Sequence, residues 1–218
     1  MTGVPRDQRH EPRWPAAVAL LVAMGLFIAL PQELIVGPRW LLPALEGILV
    51  IPLLITNPDR TESDTTVLRT ISILFISLVT IANLAALGLL VHDIITRSQD
   101  IDGRELIFSA VALWWTSVIV FGLWFWELDG GGPASRHEMR SRERDFLFPQ
   151  QAAPEVFTDP WAPSFFDYLY VSFTNSTAFS PTDTMPLTAR AKALMMAQSG
   201  SALITVALVA ARAVNVLA

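Results

Sequence analysis

Cysteine is absent from this 218-residue chain, which excludes disulfides and thiolate metal sites. Histidine occurs only at His10, His92 and His137, too scattered to make a zinc site, so no metal and no cofactor is expected. Lysine is almost missing: of fifteen basic residues only Lys192 is not arginine, a bias that reads as a GC-rich bacterial genome. Nothing pairs a nucleophile with a base, cradles a phosphate in glycines or sets two metal ligands on one helix face, so the chain does not read as an enzyme. The three glycines at 130 to 132 read as a flexible linker. No internal repeat is present, which leaves an inverted-repeat transporter unsupported. No removable leader with a small-residue cleavage site precedes the first apolar stretch, which is expected to be retained.

What the chain does have is apolar length. Half of it (52%) is hydrophobic, only 16% is charged, and the charges are gathered into a few segments instead of being spread around helix faces. That distribution predicts an all-α, polytopic membrane protein. Five stretches, Ala16 to Leu30, Trp40 to Ile55, Ile71 to Val91, Leu106 to Trp126 and Leu194 to Leu217, approach the ~17 to 25 residues that cross a bilayer. The organisation expected is a tail (1–14), a three-helix membrane region (15–104) and a C-terminal module (105–218). Trp14-Pro15 suits a helix start at the interface. Pro43 and Pro52 are expected to kink or interrupt the second stretch.

Within the C-terminal module, residues 128–163 form the one sizeable extramembrane segment. Ser135-x-x-Glu138 has the form of a capping box, and SRHEMRSRERDF reads as a short solvated or interfacial helix. Residues 164–183 then combine an aromatic helix ending in Ser and Thr with a polar turn. The order is YLYVSFTNST, Ala178-Phe179-Ser180-Pro181-Thr182, Asp183, Pro186, Thr188 and Arg190, followed by an apolar run. This order resembles the pore helix, filter, Asp-x-x-Pro-x-Thr and inner helix of two-helix potassium channels. The wider stretch, with its LDGGG, RDFLFP and FFDYLYVSF segments, is also similar to the uncharacterised bacterial domain-of-unknown-function 1345 family.

The resemblance implies a re-entrant pore loop between the fourth and fifth membrane helices, with a filter-like turn at Thr177, Ala178, Phe179, Ser180, Pro181, Thr182 and Asp183. It implies a channel-like protein that binds or passes a small, monovalent cation. It also implies a homo-oligomer, a tetramer if the protein is a channel. The residues themselves argue against potassium selectivity. A potassium filter needs glycine to point successive carbonyls at the ion, and Ser180-Pro181-Thr182 replaces it with a stiff turn. A non-conducting structural or accessory subunit that keeps the fold is the rival reading. A full crossing by 164–181, giving six spans, is the topological alternative.

Four of the polar residues within the apolar stretches are candidates for chemistry. Glu46 is a cation or proton site or else a protonated hydrogen-bonding partner. Ser77, Thr80 and Asn83 recur every three residues on one helix face, where small polar groups glue helices together or line a wet path. Trp114 and Trp115 are expected to pack at depth, and Trp124 and Trp126 to form an interfacial belt. In the last helix Ala193, Ala197, Ser201 and Thr205 make a small-residue stripe flanked by Gly200, a packing seam or hinge. Arg6, Arg9, Arg13, Arg60, Arg69, Arg136, Arg140, Arg142, Arg144, Arg190 and Lys192 fall on one side of this topology. Arg39, Arg97, Arg104 and Arg212 fall on the other. The first side, with the N terminus, is therefore expected in the cytoplasm, and the protein in a bacterial inner membrane. The expected partner is the lipid bilayer, and no nucleic acid is expected.

Overall fold

The computed structural model describes residues 14–41, 43–44, 62–96, 103–137, 144–153, 155–156, 161–177 and 183–217. These residues are mostly helical, in the order α1 (Trp14–Ile28), α2 (Glu62–Thr96), α3 (Gly103–Leu128), α4 (Pro133–His137), β1 (Phe146–Leu147), α5 (Pro149–Ala152), α6 (Phe165–Thr177), β2 (Met185–Pro186) and α7 (Ala189–Leu217). The all-α reading holds but for one two-residue ladder, in which Phe146 faces Pro186 and Leu147 faces Met185, antiparallel. Three helical segments are long and apolar enough to cross a membrane: Arg69–Thr96, Gly103–Gly131 and Ala189–Ala211. The apolar α1 is shorter, at 15 residues, or about 22 Å of helix. Of the stretch expected from Trp40 to Ile55, only Trp40, Leu41, Pro43 and Ala44 lie among the described residues.

The middle of the molecule is α3, which touches α1, α2, α6 and α7. Its sequence accounts for this, since it is apolar on every side and nearly all its residues from Thr116 to Glu127 are buried. Around it the apolar side chains gather into two clusters, one near each end. The first joins Ala16, Ala19 and Leu20 of α1 to Phe75, Ile76 and Val79 of α2, to Ile119 through Trp126 of α3, and to Phe146, Phe165, Tyr168 and Ala191. The second joins Phe27, Leu30 and Leu34 to Ala86, Leu87 and Leu90 and to Leu106 through Leu113. Membership gives direction: α1, α2, α6 and α7 all start at the first end, and α3 alone runs the other way.

Helix α6 lies against α3 at close range. A Cβ at Gly122 would sit 3.2 Å from the Cα of Leu169, so the two backbones meet where α3 has no side chain. Ser172 Oγ donates to the Val118 carbonyl at 2.6 Å one turn further on. At the far end of α1, Arg39 Nη2 donates to the carbonyl of Leu30, two residues past the helix, at 2.6 Å.

Several local expectations change. Ser135 lies inside α4, two residues after its start, and is not an N-cap. Trp126 is buried edge-on against Phe165, and Trp124 donates to Thr80 Oγ1 at 2.9 Å, so both are packing elements and no belt forms there. Trp114 and Trp115 do pack, against each other and Phe173. Ala193 and Ala197 are exposed while Ser201 and Thr205 are buried, because a four-residue step drifts around a 3.6-residue helix; the stripe is not one seam. Gly200 has open space around it.

The two glycines therefore differ in consequence. Gly122→Leu should destabilise the folded protein by about 1–3 kcal/mol through the clash with the Leu169 backbone. Gly200→Ala should be neutral or stabilising by roughly 0.5–1 kcal/mol, from helix propensity. Thermal unfolding of the detergent-solubilised variants checks both.

Candidate functional site

Two polar constellations stand out, one capping the first end of the bundle and one half-way along it. The cap begins where α3 stops. Gly130, Gly131 and Gly132 have φ of 59°, 85° and 96°, a left-handed run that side-chain-bearing residues resist. This run makes a tight turn, and it carries the buried Asp129 inward. The expectation of a flexible linker at 130 to 132 is thus corrected: the glycines build a fixed turn.

Asp129 Oδ1 accepts the backbone N–H of Asp145 at 2.7 Å and that of Phe146 at 3.2 Å, while Oδ2 accepts the Tyr168 hydroxyl at 2.6 Å. Arg136 donates to the carbonyls of Trp126 and Asp129 at 2.6 and 2.8 Å, and its guanidinium lies 5.0 Å over the Tyr168 ring. Asp145 is the second hub, with a side chain 1% exposed. Its carboxylate accepts Arg190 Nε and Nη2 at 2.6 and 2.5 Å in a fork, together with the Thr188 hydroxyl. Its carbonyl accepts the N–H of Leu187 at 2.8 Å. Asp145 and Phe146, expected in a solvated helix, are instead core residues, because every polar atom of Asp145 has a partner inside the fold.

The second constellation joins α3, α6 and α7. Gln198 is fully buried, and its Nε2 donates to the Ser172 carbonyl, Ser172 Oγ and Ser176 Oγ at 2.9, 2.6 and 2.7 Å. Its Oε1 accepts Asn175 Nδ2 at 2.8 Å, and Asn175 also donates to the Met195 carbonyl at 3.0 Å. Ser199 Oγ lies 3.2 Å from the Asn175 carbonyl and 3.1 Å from Asn175 Oδ1. All these groups are neutral. They can present hydroxyl and amide dipoles to a polar guest or hold helices together, and they offer no acid or base.

The remaining expected site residues are spread along the molecule. Thr177 ends α6 half-buried, its hydroxyl donating to the Thr174 carbonyl at 2.9 Å. Asp183 is exposed at the start of the segment leading to β2. Ala178, Phe179, Ser180, Pro181 and Thr182 lie outside the described residues, as does Glu46. Ser77 and Thr80 turn their hydroxyls back to the carbonyls of Ile73 and Ile76, a common way to silence a hydroxyl inside a helix. Thr80 also accepts from Trp124 and so ties α2 to α3. Asn83 is buried with its Oδ1 unpartnered. Ser201 Oγ donates to the Gln198 carbonyl at 2.8 Å.

Sequence reasoning passed over Gln198, although a lone amide in an apolar run is a readable signal. It also missed Asp129, Asp145 and Tyr168 as hubs. Asp129 and Asp145 sit beside glycines and arginines, which mimic a solvated loop. Among the described residues no cluster of His, Asp and Glu is placed to hold a metal ion. No family model, curated protein or solved structure matches the chain.

Both hubs should be measurable. Asp145→Ala leaves a charge-paired Arg190 and Thr188 without their acceptor and should cost about 2–4 kcal/mol, discounted from a fully buried pair because Arg190 is half exposed. Tyr168→Phe removes one buried bond to a carboxylate, about 1–3 kcal/mol. Denaturation midpoints of the purified variants check the order, with Asp145→Ala the more damaging.

Proposed function

We propose that this is a pore-loop, channel-like integral membrane protein that binds or passes a small monovalent cation without a potassium-type filter. One observation carries the reading. The 13-residue α6 enters the bundle from the cap end, and eight residues after its last residue, Thr177, the chain is back at that end at Met185, where β2 pairs with β1. A helix of that length is about 20 Å long, short of the ~30 Å hydrocarbon core. A short helix that enters and leaves by one side, beside a long apolar helix that continues through, is the layout of a pore loop.

Two supports join it. The LDGGG, RDFLFP and FFDYLYVSF segments, on which the likeness to the 1345 family rests, supply Asp129, Asp145, Phe146 and Tyr168 to one cap, so they act as one unit that fixes the loop's two ends. Helix α1 ends at the far end and α2 begins at the cap end, so the chain between them returns the length of the bundle. That return supports five spans, with α6 re-entrant. The arginine excess at the cap end supports a cytoplasmic side for it and for the N terminus, in a bacterial inner membrane. In this reading polar turn atoms at membrane depth need protein or water around them, which supports a homo-oligomer in the bilayer.

A non-conducting structural subunit is the second reading. The specific observation in its favour is the network of Gln198, Asn175, Ser172 and Ser176, which turns these groups toward one another and ties α6 to α7.

Purified protein in liposomes should pass monovalent cations with little preference for potassium over sodium. Absence of flux for every cation across pH and voltage selects the structural subunit, and strong potassium preference refutes the account of the Ser-Pro-Thr turn. Topology has its own check. In this cysteine-free chain, Ser135→Cys and Asp183→Cys should be labelled by an impermeant thiol reagent from the cytoplasmic side, and Val36→Cys from the other.

A further inference from the structure

The two apolar clusters do not meet. On α2 the first ends at Val79 and the second begins at Ala86; on α3 the first begins at Ile119 and the second ends at Leu113. The gap between them holds buried polar residues: Asn83 from α2, and Thr116 and Ser117 from α3. Asn83 is 6% exposed and Ser117 4%. Asn83 Oδ1 and Ser117 Oγ are both shut off from solvent with no hydrogen-bond partner among the described residues. An orphaned polar atom inside a low-dielectric core is costly, and it costs more in a bilayer, where no bulk water is at hand.

These two orphans share a level. The antiparallel pair is registered by the bond from Trp124 Nε1 to Thr80 Oγ1. Asn83 lies about 4.5 Å onward along α2 from Thr80, and Ser117 about 10.5 Å back along α3 from the Trp124 backbone, which is the same direction in this antiparallel pair. The indole leans toward the start of its own helix, which takes up roughly one turn of that difference. Both residues also fall on the facing stripes of their helices: Ile76, Val79, Asn83, Leu87 and Leu90 on one, and Ala110, Leu113, Ser117 and Val120 on the other.

We propose that Asn83 and Ser117 bind one ordered water between α2 and α3, sealed above and below by the apolar clusters. A buried water is held by about two to four polar partners. Two neutral oxygens meet that need, whereas they are too few to replace the hydration shell of a cation. The water donates to Asn83 Oδ1, and the Ser117 hydroxyl either donates to it or accepts from it. The site stands apart from the pore-loop reading, because neither residue belongs to α6 or to the turn after it.

The test combines thermal unfolding in detergent with a map of the nanodisc-embedded protein sharp enough to show ordered water. With the water bound, Ser117→Ala and Asn83→Leu each strip it of a partner and lower the melting temperature by several degrees. The double variant then loses less than the sum, because no orphan is left. The map shows a peak within hydrogen-bond distance of both side chains. Single variants that raise the melting temperature, with additive effects, mean that the orphans are dry and overturn the proposal. So does a map in which Asn83 and Ser117 bond directly. A melting temperature that responds to sodium or potassium in place of choline at constant ionic strength, and stops responding in Ser117→Ala, assigns a cation and overturns it as well.

Discussion

Asp145 is a carboxylate taken almost wholly out of water, and the cost of that step has to be offset within a few ångströms. The arginine fork and the Thr188 hydroxyl do this from the start of α7, while the Leu187 N–H and the β-ladder hold the adjacent backbone. Its own N–H goes to Asp129, and Asp129 in turn holds Tyr168 at the start of α6. Two carboxylates therefore fasten the end of α3, the ladder and the first turns of α6 and α7 to one another. Asp129 holds the start of α6, and Asp145 holds the approach to α7.

The cap explains why α6 can be short. A 13-residue helix forms few hydrogen bonds of its own beyond the cost of nucleation, and most of its stability has to come from contacts. At its start it has Tyr168 on Asp129. In its middle, the glycine at 122 lets α3 approach to backbone distance and Ser172 bonds across to Val118. Near its end Asn175 and Ser176 meet Gln198 on α7. These three attachments lie at successive depths, so α6 is fixed in rotation as well as in depth. The neutral network around Gln198 crosses the bundle near the level where the two apolar clusters part, and it joins to α3 and α7 the helix that approaches from the cap.

Much of the helical architecture was legible. The apolar lengths of 71–91, 106–126 and 194–217 anticipated three long helices, because transfer from water to an apolar phase is a local and nearly additive property. Packing of Trp114 and Trp115 and the gluing role of Thr80 were legible for the same kind of reason, since both follow from residue type at helical spacing. The polar character of 172–177 was legible as a concentration of hydroxyls and amides. Less legible was the fate of groups that look alike in sequence. Trp124 and Trp126 fit a membrane belt as well as a core by composition, and only their neighbours Thr80 and Phe165 decide between them. The glycine run fits a linker until Asp129 beside it is seen to be buried.

The sequence by itself determined that the chain is helical and that its long apolar segments suit a bilayer. Hydropathy, helix propensity and the lack of cysteine act residue by residue and need no partner. Only the tertiary structure decided which charges are interior. Asp145 meets Arg190 45 residues away, and Asp129 meets Tyr168 39 residues away, so neither pairing leaves a trace in local spacing. A charge beside arginines and glycines is solvated in most chains; here each is buried because partners from two distant segments arrive at the same point and together replace the water it gave up.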